Sequence, residues 1–347
     1  MPAFARFVLV TSEAGKRRRQ VFIEAFDRVH LGGTGIDRIT EDEVVAVVRD
    51  ALDHGRGGRI ITPNVDILRR AASDPSARRH LDNADLIVAD GMPLIWASRL
   101  GGVPLPERVA GSSLIWTLSQ GLGRDARSVF VIGGTPEPQG RAALTGPPAQ
   151  TSIVDVPRGA VVSGEIDGAA EGAVAAAVKV RAVDGASGAV RAVDDASGAV
   201  RAVDDASGAV RAAARLATAS PGLRIAGAIS PPFGFEADEA TYAEVCSQVI
   251  DAEPDLVFVG LGFPKQELVI ERLRRHLPST WFVGCGAAVN FVAGDVHRAP
   301  RWMQRSGLEW AHRLSVEPRR LARRYLREDA PYALRLLARA PRRFRRA

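Results

Sequence analysis

The chain has 347 residues, 46% hydrophobic and 25% charged, with two cysteines (Cys246 and Cys285) and a net charge of +6. That length suits two domains or one large one, while two cysteines cannot build a disulfide framework or a Cys-rich zinc site, which fits a reducing compartment. No apolar run approaches the ~20 residues that span a bilayer, and the basic cluster at 16–19 follows the short apolar stretch 4–10, the reverse of a signal peptide.

In chain order, residues 1–28 read as a lead. Residues 41–52 follow Thr40, a good N-cap, with Glu43 at the capping-box position and Val44, Val45, Val47, Val48 and Leu52 on one face, which predicts a helix. Short apolar runs at 59–62, 86–89, 129–132, 223–226, 256–259 and 281–283 lack the alternation of a half-exposed strand, as buried parallel strands do. Helical patterns at 65–72, 112–122, 242–251 and 264–277 fill the gaps. The alternation predicts an α/β fold, a Rossmann-like, mostly parallel sheet with helices on both faces, carried by residues 29–138 and 217–300.

Residues 139–216 depart from that pattern, with no aromatic residue, Met, Cys or His, and a decapeptide V-R-A-V-D-[GD]-A-S-G-A repeated from Val180, Val190 and Val200. Three such units bury too little surface for a solenoid, so the segment is expected to be a flexible or weakly helical insertion. It interrupts the helix between two strands, with residues 212–217 as that helix's tail. Beyond it, residues 297–347 hold fifteen Arg against four acids, a net of +11, so the other 296 residues carry −5. Residues 301–347 therefore read as a basic helical appendage. After Pro318, Arg320, Arg323 and Arg327 share one helical face and Leu321 and Tyr325 another, a pattern suited to a diphosphate, an anionic membrane or nucleic acid.

Chemistry concentrates at strand ends, where ligands of open α/β sheets bind. Thr62-Pro63-Asn64 places two polar side chains there, although both types also cap helices. Asp90, between an apolar run and Gly91, suits a general base, a metal ligand or a cap. Arg108 precedes a helix start. Gly260-Leu261-Gly262 runs into Pro264-Lys265-Gln266, bringing backbone amides and a helix N-terminus toward phosphate, yet it completes neither a dinucleotide fingerprint nor a P-loop. Gly133-Gly134 and Gly284-Cys285-Gly286 repeat the device, and the three ends imply a phosphate- or sugar-bearing ligand along the sheet edge. No two Asp are separated by a single residue, so a metal-holding D-x-D pair is absent and Arg or helix dipoles must handle phosphate charge.

Taken together, Thr62-Pro63-Asn64, Ala89-Asp90-Gly91, the E-R-V-A-G run at 107–111, S-P-P-F-G at 230–234, G-F-P-K-Q-E at 262–267, G-D-V-H-R-A-P at 294–300 and E-W-A-H-R-L at 309–314 resemble the successive signatures of the WecG/TagA/CpsF glycosyltransferases. The resemblance implies a metal-independent inverting hexosyltransferase without a cofactor. It would move an N-acetylmannosamine-type sugar from a UDP-sugar donor to an N-acetylglucosamine-diphospho-undecaprenol acceptor, in cell-wall or surface polysaccharide synthesis. It also implies a cytoplasmic protein held peripherally at the inner face of the plasma membrane, capable of homo-oligomerising. Asp90 would be the base, with Thr62, Asn64, Arg108, Gln266, Arg313, Arg320 and Arg323 binding substrate and no residue binding metal. Two departures stand out: the insertion, and His312 where an aromatic such as Tyr is usual. A non-catalytic nucleotide-sugar or lipid-carrier binding protein is the alternative. Nucleic acid is not expected as a partner, because the tail lacks stacking platforms beyond Tyr325, Tyr332 and Phe344.

Overall fold

The computed structural model describes residues 8–9, 19–20, 26–136 and 206–340. Two antiparallel pairs come first, β1 (Val8–Leu9) with β2 (Arg19–Gln20), and β3 (Arg28–Leu31) with β4 (Thr34–Asp37). The apolar runs then become β5 (Gly58–Ile61), β6 (Leu86–Ile87), β7 (Ser128–Gly133), β8 (Arg224–Ile229), β9 (Leu256–Gly260) and β10 (Trp281–Gly284). They form one six-stranded sheet, all parallel, in the order β6-β5-β10-β9-β7-β8. The expected α/β fold is therefore the observed one.

Helices α1 (Glu41–Asp53), α2 (Val65–Ser73), α3 (Pro75–Asp82), α4 (Met92–Leu100), α5 (Gly111–Gly123), α6 (Gly208–Ala219), α7 (Glu239–Ala252), α8 (Lys265–Arg274) and α9 (Ala288–Ala293) surround the sheet. Thr40 and Glu43 close the predicted capping box on α1. Side chains alternate along β5, β7, β9 and β10, as the pleat requires, while β8 slips by one residue at a bulge opposite Val129–Phe130. Ile60, Val129, Val131, Leu256, Phe258, Trp281 and Val283 pack with α1, α5, α6 and α9 on one face. On the other face, Ile61 and Ile87 meet α2 and α4, while Phe130, Ile132, Val257, Val259 and Phe282 meet α7 and α8. The helix following β5 thus lies on one face and the helix following its neighbour β10 on the opposite face. Such a switch opens a crevice at the carboxyl ends of those two strands.

Most of the expected insertion lies outside the described residues. Residues 208–216 are the larger part of α6, whose Ala209, Ala212, Ala213 and Leu216 are buried, so residues 212–217 are the body of this helix rather than only its tail. Gly208 N donates to Thr135 O at 2.8 Å, which brings the two borders of the interrupting segment together.

The appendage follows as α10 (Arg301–Ser306), α11 (Glu309–Val316), α12 (Pro318–Ala322), a π-helical segment Arg323–Asp329, and α13 (Ala330–Arg339). It folds back onto the sheet domain. Leu336 and Ala340 join the apolar cluster beside α2 and α4, Tyr332 Oη donates to Leu68 O at 3.3 Å, and Arg69 of α2 pairs with Glu328 at 2.9 Å and Asp329 at 3.2 Å.

Candidate active site

A cleft of about 590 Å³ opens where the sheet topology places it, between the ends of β5, β6, β9 and β10 and the appendage. Thr62, Asn64, Asp90, Arg108, Gln266 and Arg313 all line it, although they are spread over some 250 residues of sequence. Their positions follow from the loops. Asp90 N donates to Pro63 O at 3.0 Å, tying the T-P-N loop to the A-D-G loop, and Val109 N donates to Ala89 O at 2.9 Å, bringing Arg108 alongside. Gly91 holds φ at +129°, a conformation that L side chains rarely adopt, and so lets the chain turn directly after Asp90. Gly111 serves packing, since a Cβ there would stand 3.0 Å from the Cys285 backbone across the cleft floor.

Thr62 Oγ1 donates to Gly284 O at 3.3 Å, joining the ends of β5 and β10. Asn64 both lines the cleft and caps α2, its Oδ1 accepting from Ile67 N at 3.1 Å, so the capping and cleft readings hold together. Gln266, only 3% exposed, accepts from Gly286 N at 3.1 Å and donates to Glu267 Oε1 at 2.9 Å. Glu267 is held in turn by the buried Arg59, whose Nη2 lies 2.6 Å from Oε2. Gln266 therefore bridges the β9 and β10 loops, and Glu267 takes one of its two amide hydrogens.

The charged centre is a five-residue cluster. Glu309 Oε2 accepts from Arg108 Nη1 at 3.0 Å, and Glu309 Oε1 lies 3.5 Å from Arg313 Nη2 and 3.9 Å from Arg298 Nε. The Arg313 guanidinium also stacks over Phe291, 4.9 Å from the ring centroid. Burial pushes the Asp90 carboxyl up to about 6; Arg108 opposes the shift, Glu309 reinforces it, and Arg313 and Arg298 oppose it. A carboxylate with that value is ionised at neutral pH yet more basic than an exposed one, which suits a general base.

The structure rearranges two expectations. The Gly133-Gly134 end does not reach the cleft: Ser230 Oγ donates to Gly133 O at 2.6 Å, a Cβ on Gly133 would stand 2.6 Å from Gly260 O, and one on Gly134 2.7 Å from the backbone of Gly208 and Ala209, so these glycines admit β9 and α6 rather than a ligand. The Gly262 and Gly284–Gly286 ends do line the cleft. In the tail, Arg323 is exposed and outside the cleft lining, whereas Arg324 lines it, with Tyr325. Arg320 lies on α12, and its side chain is outside the described set. Sequence reasoning also passed over Glu309 and Arg298, though both stand inside quoted motifs. Buried guanidinium nitrogens could not be read there: Arg298 Nε and Arg324 Nε are buried without a hydrogen-bond partner among the described residues. No group of three His, Cys, Asp or Glu converges as a metal-binding set among those residues.

A parallel sheet whose switch-point crevice gathers an acid and several arginines is an α/β protein of the kind that binds ligands at its strand ends. The chain belongs to the glycosyl transferase WecG/TagA/CpsF family, whose pattern matches residues 29–177 and 201–346. It is similar to a Bacillus spizizenii protein named N-acetylglucosaminyldiphosphoundecaprenol N-acetyl-beta-D-mannosaminyltransferase, 26% identical over 272 residues, covering 78% of this chain and 76% of the relative. A Bacillus subtilis protein of the same name is 36% identical over 110 residues, covering 32% of this chain and 41% of that relative.

Proposed function

We propose that this chain is an inverting hexosyltransferase that moves an N-acetylmannosamine-type sugar from a UDP-sugar to N-acetylglucosamine-diphospho-undecaprenol, without a metal. The names of the two Bacillus relatives support the substrate pair. The observation that carries the reaction type is Asp90, held near pKa 6 at the strand-end crevice beside Arg108 and Arg313. In a single displacement, Asp90 takes the proton of the acceptor hydroxyl as its oxygen bonds to the donor's anomeric carbon. The bond from that carbon to the diphosphate oxygen breaks on the opposite side, and UDP departs with the electron pair. Arg108, Arg313 and Arg324 hold the charge that develops, while Thr62, Asn64 and Gln266 orient the sugars.

The lipid-linked acceptor places the reaction at a membrane surface. No helix among the described residues is long and apolar enough to cross a bilayer. The appendage instead exposes Trp302, Trp310, Val316, Leu326 and Leu334 in a region rich in arginine, a combination that suits the interface of an anionic membrane. The test is a donor panel of UDP-N-acetylmannosamine, its uronic acid and UDP-glucose, offered with the lipid-diphosphate acceptor in chelator, the lipid product read by mass. Product from the N-acetylmannosamine donor is expected. UDP binding with no product from any donor would establish the binding-protein reading instead.

A further inference from the structure

Among the described residues, Glu309 is the carboxylate whose oxygens lie within 4 Å of three arginines. It sits at the start of α11, so the appendage delivers it to the cleft, and its neighbours come from three different segments. Arg108 belongs to the loop before α5, Arg298 to the loop before α10, and Arg313 lies one helical turn along α11. Its two oxygens are divided between them, Oε2 taking Arg108 at 3.0 Å and Oε1 facing Arg313 at 3.5 Å and Arg298 at 3.9 Å. The Glu309 side chain is only 13% exposed, and Arg298 Nε has no hydrogen-bond partner among the described residues, so its charge leans on Glu309 and Asp90. Burial accordingly pulls the Arg298 guanidinium below its ordinary range.

We propose that Glu309 is the positioning residue of this site: it gathers Arg108, Arg298 and Arg313 into one cationic cluster and shields Asp90 from their combined charge. Three guanidinium groups against Asp90 alone would stabilise its ionised form and make it a poor proton acceptor. With Glu309 present, the cluster carries one net positive charge while both acids are ionised. That leaves Asp90 basic and still offers an incoming diphosphate a cationic wall. Arg298 is outside the cleft lining and its Nη1 donates to Ser112 O at 3.4 Å, so it sets charge rather than touching substrate. Among the described residues these four are the charged groups that act most on Asp90, while Asp66, Arg70, Arg324 and Asp329 line the cleft with it; Cys285, whose thiol burial pushes up to about 12, is neutral beside them.

The role of Glu309 in catalysis rests on the transferase reading, but its effect on Asp90 is measurable without turnover. The experiment is a titration of the Asp90 carboxyl by carbon NMR in protein labelled at Asp carboxyls, the resonance assigned with Asp90→Asn, in wild type, Glu309→Gln, Glu309→Asp and Arg298→Gln. Loss of the carboxylate in Glu309→Gln should lower the Asp90 midpoint by roughly one unit or more, and loss of a cation in Arg298→Gln should raise it. Glu309→Asp, which keeps the charge, should restore most of the wild-type midpoint. Opposite shifts from two members of one cluster are not the signature of general loosening, and Arg298→Gln carries the test if Glu309→Gln fails to fold. Unmoved midpoints, or shifts of the same sign, would overturn the proposal. Lipid product is assayed alongside: a wild type that makes none overturns the transferase reading alone, while an active wild type with an unmoved midpoint overturns the role of Glu309 alone.

Discussion

Asp90 carries two measurable consequences. Its ionised form is disfavoured in the fold, since burial lifts its pKa from the ordinary 3.8 to about 6. Below about pH 4 the carboxyl is neutral in both folded and unfolded chains; as pH rises from there to about 6 the unfolded chain releases its proton first, and stability falls. Above pH 6 the cost is complete, about 3 kcal/mol. Asp90→Asn should therefore melt several degrees higher than wild type at pH 7.5, with the gain vanishing near pH 4, in thermal unfolding followed by circular dichroism. The same substitution should lower kcat by roughly 10² to 10⁴. In the wild type, the acid limb of the rate profile should fall near pH 6; a limb near pH 4 would show that the Asp90 carboxyl is not raised at the working site.

The site was legible in the sequence to the extent that it lies at strand ends. Thr62, Asn64, Asp90, Arg108, Gln266 and Arg313 each stand beside an apolar run or inside a compact motif, and backbone hydrogen bonds between loops bring them together. Glu309 and Arg298 were visible as letters but not as partners, because their meaning depends on contacts between segments far apart in the chain. Gly133-Gly134 misled for the converse reason: a glycine pair after a strand admits a helix as readily as a ligand.

At the scale of elements, the appendage is a working wall of the cleft as well as a charged tail. The six strands of the sheet and five of the helices follow from apolar patterning, but the antiparallel pairs β1–β2 and β3–β4 are not anticipated by it, and α3, α4 and α9 are short. At the start of the segment Arg323–Asp329 it is Arg324 and not Arg323 that lines the cleft, a one-residue difference that motif spacing does not resolve. Arg324→Ala is accordingly expected to raise KM for the donor roughly tenfold, since charge-assisted contacts are involved, while Arg323→Ala has a smaller effect; steady-state kinetics with varied UDP-sugar separates the two. The grip of Arg69 on Asp66, Glu328 and Asp329 holds the segment against α2. Arg69→Ala should leave the sheet intact but expose residues 319–340 to limited proteolysis; an unchanged cleavage pattern would show that Tyr332 and Leu336 suffice.

For the whole molecule, 347 residues and a charge of +6 prove to be composites. One parallel sheet domain, interrupted between β7 and α6, carries a basic appendage that completes its cleft. Because Thr135 and Gly208 are hydrogen bonded at the border of the interruption, replacing residues 138–205 with a short Gly-Ser link should change the melting temperature by only a few degrees, as closing a shorter loop costs little. The central claim concerns the chemistry of the assembled cleft. Purified protein, UDP-N-acetylmannosamine and N-acetylglucosaminyl-diphospholipid, incubated in chelator at pH 7.5 with the lipid analysed by mass, test it directly. The account predicts a lipid heavier by one N-acetylhexosamine, formed by wild type and lost in Asp90→Asn. Undiminished product from Asp90→Asn, or none from the wild type, would contradict it.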